Sequence, residues 1–192
     1  VVFCQAGKIA VPKAHQRLVT YLEGSVVQAR ARHEGGVFHP KLWVVRLTSA
    51  EAPVRYRVLV NSRNLTFDRS WDTMLALDGE LRDRKNAIAA SKPLGELVAA
   101  LPSLALQPSA LSEGRRAMVA EIADELRRVE FERPEHVDEV VFWPMGLEGR
   151  PSQPFRERLG PRTLVVSPFL ARECLESLAD QSDEVHLVSS AA

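Results

Sequence analysis

The sequence predicts an α/β protein: a mixed sheet flanked by helices, with the start of a second, similar half. Three observations carry this reading. Apolar runs of strand length, among them Val1 to Cys4 and Leu42 to Val45, alternate with loops marked by Gly, Pro and Asn. The order strand, loop, helix, strand over residues 1–31 recurs over 163–189, as two βαβ units would. Between them the chain turns rich in Ala, Leu, Arg and Glu, with apolar residues three and four apart.

Each element has a local reason. Val1 to Cys4 reads as a short buried strand, and residues 5–11 as a loop containing Gly7. Residues 12–23 read as a helix, because Pro12 suits a first turn and His15, Leu18, Val19 and Leu22 share a face. Gly24 stops it. Strands follow over Ser25 to Ala31, Val37 to Leu47, Arg55 to Asn61 and Thr73 to Leu77, the last closed by Asp78 and Gly79. Helices over 81–101 and 109–129 carry apolar stripes at Leu94, Leu97, Val98 and Leu101, then at Leu111, Met118, Ile122 and Leu126. Val137 to Trp143 returns to strand, and 144–162, rich in Pro and Gly, to loop. Thr163 to Ser167, Leu170 to Ala179 and Glu184 to Ser189 give strand, helix, strand. The predicted organisation has three parts: a first half over 1–80, a helical connector over 81–136, and the beginning of a truncated second half over 137–192.

With 192 residues and 45% hydrophobic content, the chain can bury a sizeable core. The formal net charge is zero, so any anion site must be local rather than a property of the whole surface. Cys4 and Cys174 lie far apart in apolar segments and read as two buried thiols in a reducing compartment, which points to the cytoplasm. No apolar run reaches the length of about 18 residues that a membrane span needs. The chain opens in a strand-like run with neither an initiator Met nor a secretory pattern, and reads as an excised or processed piece.

The chemistry-bearing stretch is Phe38-His39-Pro40-Lys41, leading into Leu42 to Val45, with Asn61-Ser62-Arg63-Asn64-Leu65-Thr66 after the next strand. A His and a Lys two apart on a strand point the same way. Burying both on a core strand is costly unless they share a polar role. Phosphoryl transfer offers one, since an imidazole can attack phosphorus and an ammonium can hold the non-bridging oxygens. The loop from Thr48 to Val54 is short enough for an antiparallel hairpin. If it closes near Glu51, Lys41 faces Asn61 and His39 faces Arg63. Imidazole, ammonium and the Asn64 amide then gather at one end of the hairpin. Taken singly, each residue has a plainer role: a satisfied strand histidine, a snorkelling lysine, a turn bonded to its own backbone.

In order, His39-x-Lys41 followed by Ser62-x-Asn64-Leu65-Thr66 resembles one copy of the motif of the phospholipase D superfamily. The stretch from Val58 to Asp72 is similar to the branch holding nucleases and tyrosyl-DNA phosphodiesterases. The resemblance covers residues 37–78 and is architectural over 1–36 and 163–189. It implies a phospholipase D-like fold and a metal-independent phosphodiesterase without cofactors. His39 would be the nucleophile that forms a phosphohistidine. Lys41 and Asn64 would bind the phosphoryl oxygens, with Ser62 supporting that pocket. Asp72 falls near the acidic position that in many members orients a histidine. Where the classical motif has Asp, this chain has Arg46, and Asn61 replaces the first motif glycine. Family sites use two motifs, the second histidine serving as general acid and then base. His15, His33, His136 and His186 lack the pattern, so the second motif is expected from a homodimer partner or from sequence beyond residue 192.

The implied substrate is a phosphodiester, and nucleic acid is the expected partner. Arg63 and Arg69, with Arg46, Arg55 and Arg57, form a possible phosphate track or, more plainly, solvated strand edges and turns. Trp43 and Trp71 can stack on bases, although core packing is the commoner role of tryptophan. Without an amphipathic membrane-binding helix, a nuclease acting on DNA or RNA in defence or repair is favoured. The alternatives are a phospholipid phosphodiesterase and a catalytically silent nucleic-acid-binding or scaffold domain that retains the phosphate pocket.

Overall fold

Alternating apolar residues build the central sheet, as the computed structural model of the protein makes plain. It describes residues 1–9, 17–64, 69–151, 153, 155, 158–167 and 170–189. The expected start of the first helix at 12–16, with Pro12 and His15, lies outside the described residues. So do the side chains of Leu18 and Val19, and Leu65 and Thr66 of the motif. The architecture is mixed α/β, in two compact units, Val1–Glu148 and Gly149–Ala192.

The first unit runs β1 (Val2–Gln5), α1 (Arg17–Glu23), β2 (Val26–Ala29), β3 (Leu42–Leu47), β4 (Arg55–Asn61), β5 (Met74–Leu81), α2 (Lys92–Ala100), α3 (Glu113–Leu126) and β6 (Val129–Phe131). Strands β1 and β2 pair in parallel across α1, while β3 to β6 form an antiparallel sheet in chain order. The second unit runs β7 (Arg162–Val166), α4 (Arg172–Ala179) and β8 (Glu184–Val188), again a parallel pair across a helix. The expected recurrence of strand, helix, strand is therefore present at both ends. Among the described residues no helix is long and apolar enough to cross a membrane. Both thiols are free and half-buried rather than buried.

Several elements differ from expectation for definable reasons. Residues Val137 to Trp143 do not form a strand; Val140 and Phe142 pack on the core, and Phe142 meets Phe131 edge-on at 5.7 Å between ring centroids. The place beside β5 is taken by β6, within a stretch expected to be helical. Gly79, expected to close β5, lies inside it opposite Phe131. A Cβ there would sit 2.6 Å from Val129 Cγ1 and 2.8 Å from Glu130 O, so glycine is what lets β6 approach. Helix α2 starts only at Lys92, with proline in its first turn, and Ser91 anchors its start through Oγ to Val129 O at 2.6 Å. Ser112 caps α3 by accepting from Arg115 N. The two helices touch at Gly95, where a Cβ would lie 2.7 Å from Ala123 O.

The core lies between these helices and one face of the sheet: Tyr56, Val58 and Leu77 meet Leu94, Val98, Val119 and Leu126. Burying each large aliphatic chain contributes about 1.5–3 kcal/mol. On β3, Leu42, Val44 and Arg46 take the inner positions and Trp43, Val45 and Leu47 the outer ones. An inward arginine demands carboxylates, and α3 supplies them. Arg46 donates to Glu125 through Nε at 2.7 Å and Nη2 at 2.8 Å, and to Glu121 at 3.2 Å. The fully buried Tyr56, opposite Arg46 in the ladder, donates its hydroxyl to the same Glu125 carboxylate. The Arg46 hydrogen bonds hold the Glu125 carboxyl below its ordinary range.

A depressed folded-state pKa adds stability that is complete above the ordinary value of 4.5 and fades as pH falls toward the folded-state value. Chemical denaturation of Glu125→Gln should show a loss of about 1–3 kcal/mol near neutral pH. That loss should shrink in acid. An equal loss at both pH values contradicts the clamp.

Candidate active site

Pro40 explains where the motif sits. It has no N–H to offer a ladder, so β3 begins only after it. Phe38 is buried, and its N–H donates to Gln5 Oε1 at 2.6 Å, which ties the segment to the end of β1. His39 and Pro40 are exposed and Lys41 is half-buried. The expectation that His39 and Lys41 occupy a core strand is thus corrected: they precede the strand at its solvent end, and His39 carries little desolvation cost. Partial burial lowers the Lys41 pKa, and its ammonium donates to His39 O at 3.4 Å.

The hairpin register is the one that closure near Glu51 predicts. Leu42 pairs with Val60, and one step further Asn61 N donates to Lys41 O at 2.9 Å. The chain leaving β4 is held just as firmly. Ser62 N donates to Thr73 O at 2.9 Å, Thr73 N donates to Ser62 Oγ at 3.0 Å, and Ser62 Oγ donates to the Asp72 carboxylate. These three bonds close a neck across the chain segment that joins β4 to β5. Within it Arg63 Nη1 donates to Ser70 O at 3.1 Å, while Asn64 and Arg69 are exposed.

The neck therefore joins Lys41, Asn61, Ser62, Asp72 and Thr73 at the end of the hairpin away from its 48–54 turn. His39 lies two residues before the first of them, and Asn64 two residues beyond Ser62. Asp72, which the resemblance sets near a histidine-orienting acidic position, accepts from the Ser62 hydroxyl. That hydrogen bond, with smaller help from the Thr73 and Ser62 backbone and the Arg63 charge, keeps its carboxyl below the ordinary carboxylate range.

Three of the five clustered arginines are already neutralised. Arg46 serves the core clamp, Arg57 pairs with Asp78 through two bonds of 2.7 and 2.8 Å, and Arg55 meets Glu132 at 2.8 Å. Arg63 and Arg69 lie nearer the neck, Arg63 with its charge beside Asp72. Both tryptophans near the motif are exposed, Trp43 at 46% and Trp71 at 91%, so neither is a core residue. Among the described residues no group of three His, Cys, Asp or Glu side chains is placed to hold a metal ion. An apolar cavity of about 230 Å³ opens beside the motif, walled by Phe38, Pro40, Trp43, Met118 and Ile122.

No family model, no curated protein and no solved structure matches the chain. The site rests on its own geometry.

Sequence reasoning missed the Ser62–Asp72 bond and the Arg46–Tyr56–Glu125 clamp. A signal for each was present. Ser62 and Asp72 bracket a polar loop between two strands, and Arg46 has the strand parity of Leu42 and Val44, which calls for a buried partner.

An NMR titration of the Asp72 carboxyl should give a pKa below the ordinary value, rising toward it in Ser62→Ala. An unchanged titration in that variant contradicts the neck.

Proposed function

We propose that the chain carries one motif of a metal-independent phosphodiesterase of phospholipase D type, acting on DNA or RNA. The supporting observation is the register bond from Asn61 N to Lys41 O, which brings the His39–Lys41 segment and the Ser62–Asn64 turn to one end of the hairpin. In this reading an imidazole nitrogen of His39 attacks phosphorus. A P–N bond forms as the bond to the leaving oxygen breaks. Lys41 and Asn64 hold the non-bridging oxygens as their charge grows. A histidine of a second motif, from another copy of the chain or from further sequence, protonates the leaving oxygen. It then takes a proton from the water that cleaves the P–N bond. The parallel strand–helix–strand unit at 162–188 supports a second half of similar build.

One observation favours a second reading, a phospholipid phosphodiesterase: the apolar cavity beside Phe38 and Pro40 could take part of an acyl chain.

The test uses the p-nitrophenyl ester of thymidine 5′-phosphate, whose leaving group needs no general acid, so one motif suffices. In EDTA the chain should release nitrophenolate. Lys41→Ala should slow release about 10²–10³-fold, and His39→Ala should abolish it. Release that survives in His39→Ala contradicts the reading. Turnover of phosphatidylcholine vesicles without attack on the thymidine ester supports the lipid alternative.

A further inference from the structure

Trp71 is 91% exposed, the highest value for a large hydrophobic side chain among the described residues. Trp presents a large apolar ring with a polar N–H edge, a shape that can stack on a base. Its setting is specific. It adjoins Asp72, whose bond to Ser62 closes the neck of the loop, and the same loop carries Asn64 near its other end. Two extended residues on each side of the Ser62–Thr73 pair separate the Cα atoms of Asn64 and Trp71 by at most about 20 Å. A few nucleotides of extended strand cover that distance.

Charge does not account for the loop. Arg63 and Arg69 are balanced by Asp68 and Asp72 over residues 61–72. What the loop adds beyond the phosphate ligand is an aromatic face. An aromatic face takes an unstacked base of any identity, whereas a duplex keeps its bases stacked on each other.

We infer that Trp71 is a stacking platform for an unpaired nucleobase, so that the site selects single-stranded nucleic acid or a frayed end. This deepens the proposed function and rests on it for the phosphodiester held at Lys41 and Asn64. Arg69, two residues before Trp71, is exposed. Because stacking rather than charge provides the selectivity, the contribution of Trp71 persists when salt is raised.

The test measures binding of a fluorescent dT oligonucleotide, and of the matching duplex, to the His39→Ala chain in EDTA, with and without Trp71→Ala. Trp71→Phe serves as the aromatic control, and circular dichroism checks folding. Trp71→Ala should weaken single-strand binding on the order of ten-fold, at low and high salt alike. Trp71→Phe should retain most of the affinity, and duplex binding should not change. Equal single-strand binding by the Trp71→Ala and parent chains overturns the inference, as does an equal loss for duplex. Trp71-dependent binding to phosphatidylglycerol vesicles, with none to the oligonucleotide, also overturns it. The outcome is separable from that of the chemistry. Trp71-dependent binding with no thymidine-ester attack by the chain with His39 intact defeats the proposed reaction alone. Ester attack with Trp71-independent binding defeats the platform alone.

Discussion

One carboxylate sets the register on which the candidate site depends. Glu125 of α3 accepts from both members of a cross-strand pair, Arg46 of β3 and Tyr56 of β4. In an antiparallel ladder a slip of one residue turns every side chain to the other face. Such a slip would carry Arg46 away from α3 and leave a buried hydroxyl and a carboxylate unpaired, a costly outcome. The clamp sits at the turn end of the hairpin, and its consequence appears at the far end. There the same register puts Lys41 opposite Asn61 and starts the Ser62–Asn64 turn beside it.

Much of this was legible in the sequence because strand periodicity is strict. The hairpin, its closure near Glu51 and the strand–helix–strand order at both ends follow from local pattern. What escaped depends on partners distant in sequence. Gly79 looks like a turn residue until β6 arrives from fifty residues away to need its missing Cβ. The apolar residues Val137, Val140 and Phe142 look like a strand, yet Val140 and Phe142 pack side chains on the core without joining a ladder and Val137 is exposed. His39 and Lys41 looked like costly polar residues on a buried strand, whereas Pro40 delays the strand and leaves them at its wet end. Trp43 and Trp71 show a similar limit, since the same residue type serves a core or a surface and only the fold decides.

The chemistry proposed for this end of the hairpin matches what its surroundings provide. A nucleophilic imidazole needs access to substrate, and His39 is exposed. A phosphate ligand benefits from a partly desolvated charge, and Lys41 is half-buried. The turn that carries Asn64 must not wander, and the Ser62, Asp72 and Thr73 bonds fix both sides of its loop. Arg46, Arg57 and Arg55 pair with Glu125, Asp78 and Glu132 instead of making a general basic surface. Selectivity in this account comes from a small local constellation and an aromatic face, consistent with a chain of zero net charge.

The central claim is that His39 is a nucleophile toward phosphorus. The most direct measurement is the mass of the chain after reaction with the thymidine ester and an alkaline quench, which preserves phosphohistidine. The account predicts one thymidylate joined to the protein through phosphorus, located on His39 by peptide fragmentation. At a protein concentration too low for copies of the chain to pair, no second histidine activates water, and this adduct should accumulate to about one per chain. Release of nitrophenolate with His39 unmodified, or the adduct on another residue, contradicts it.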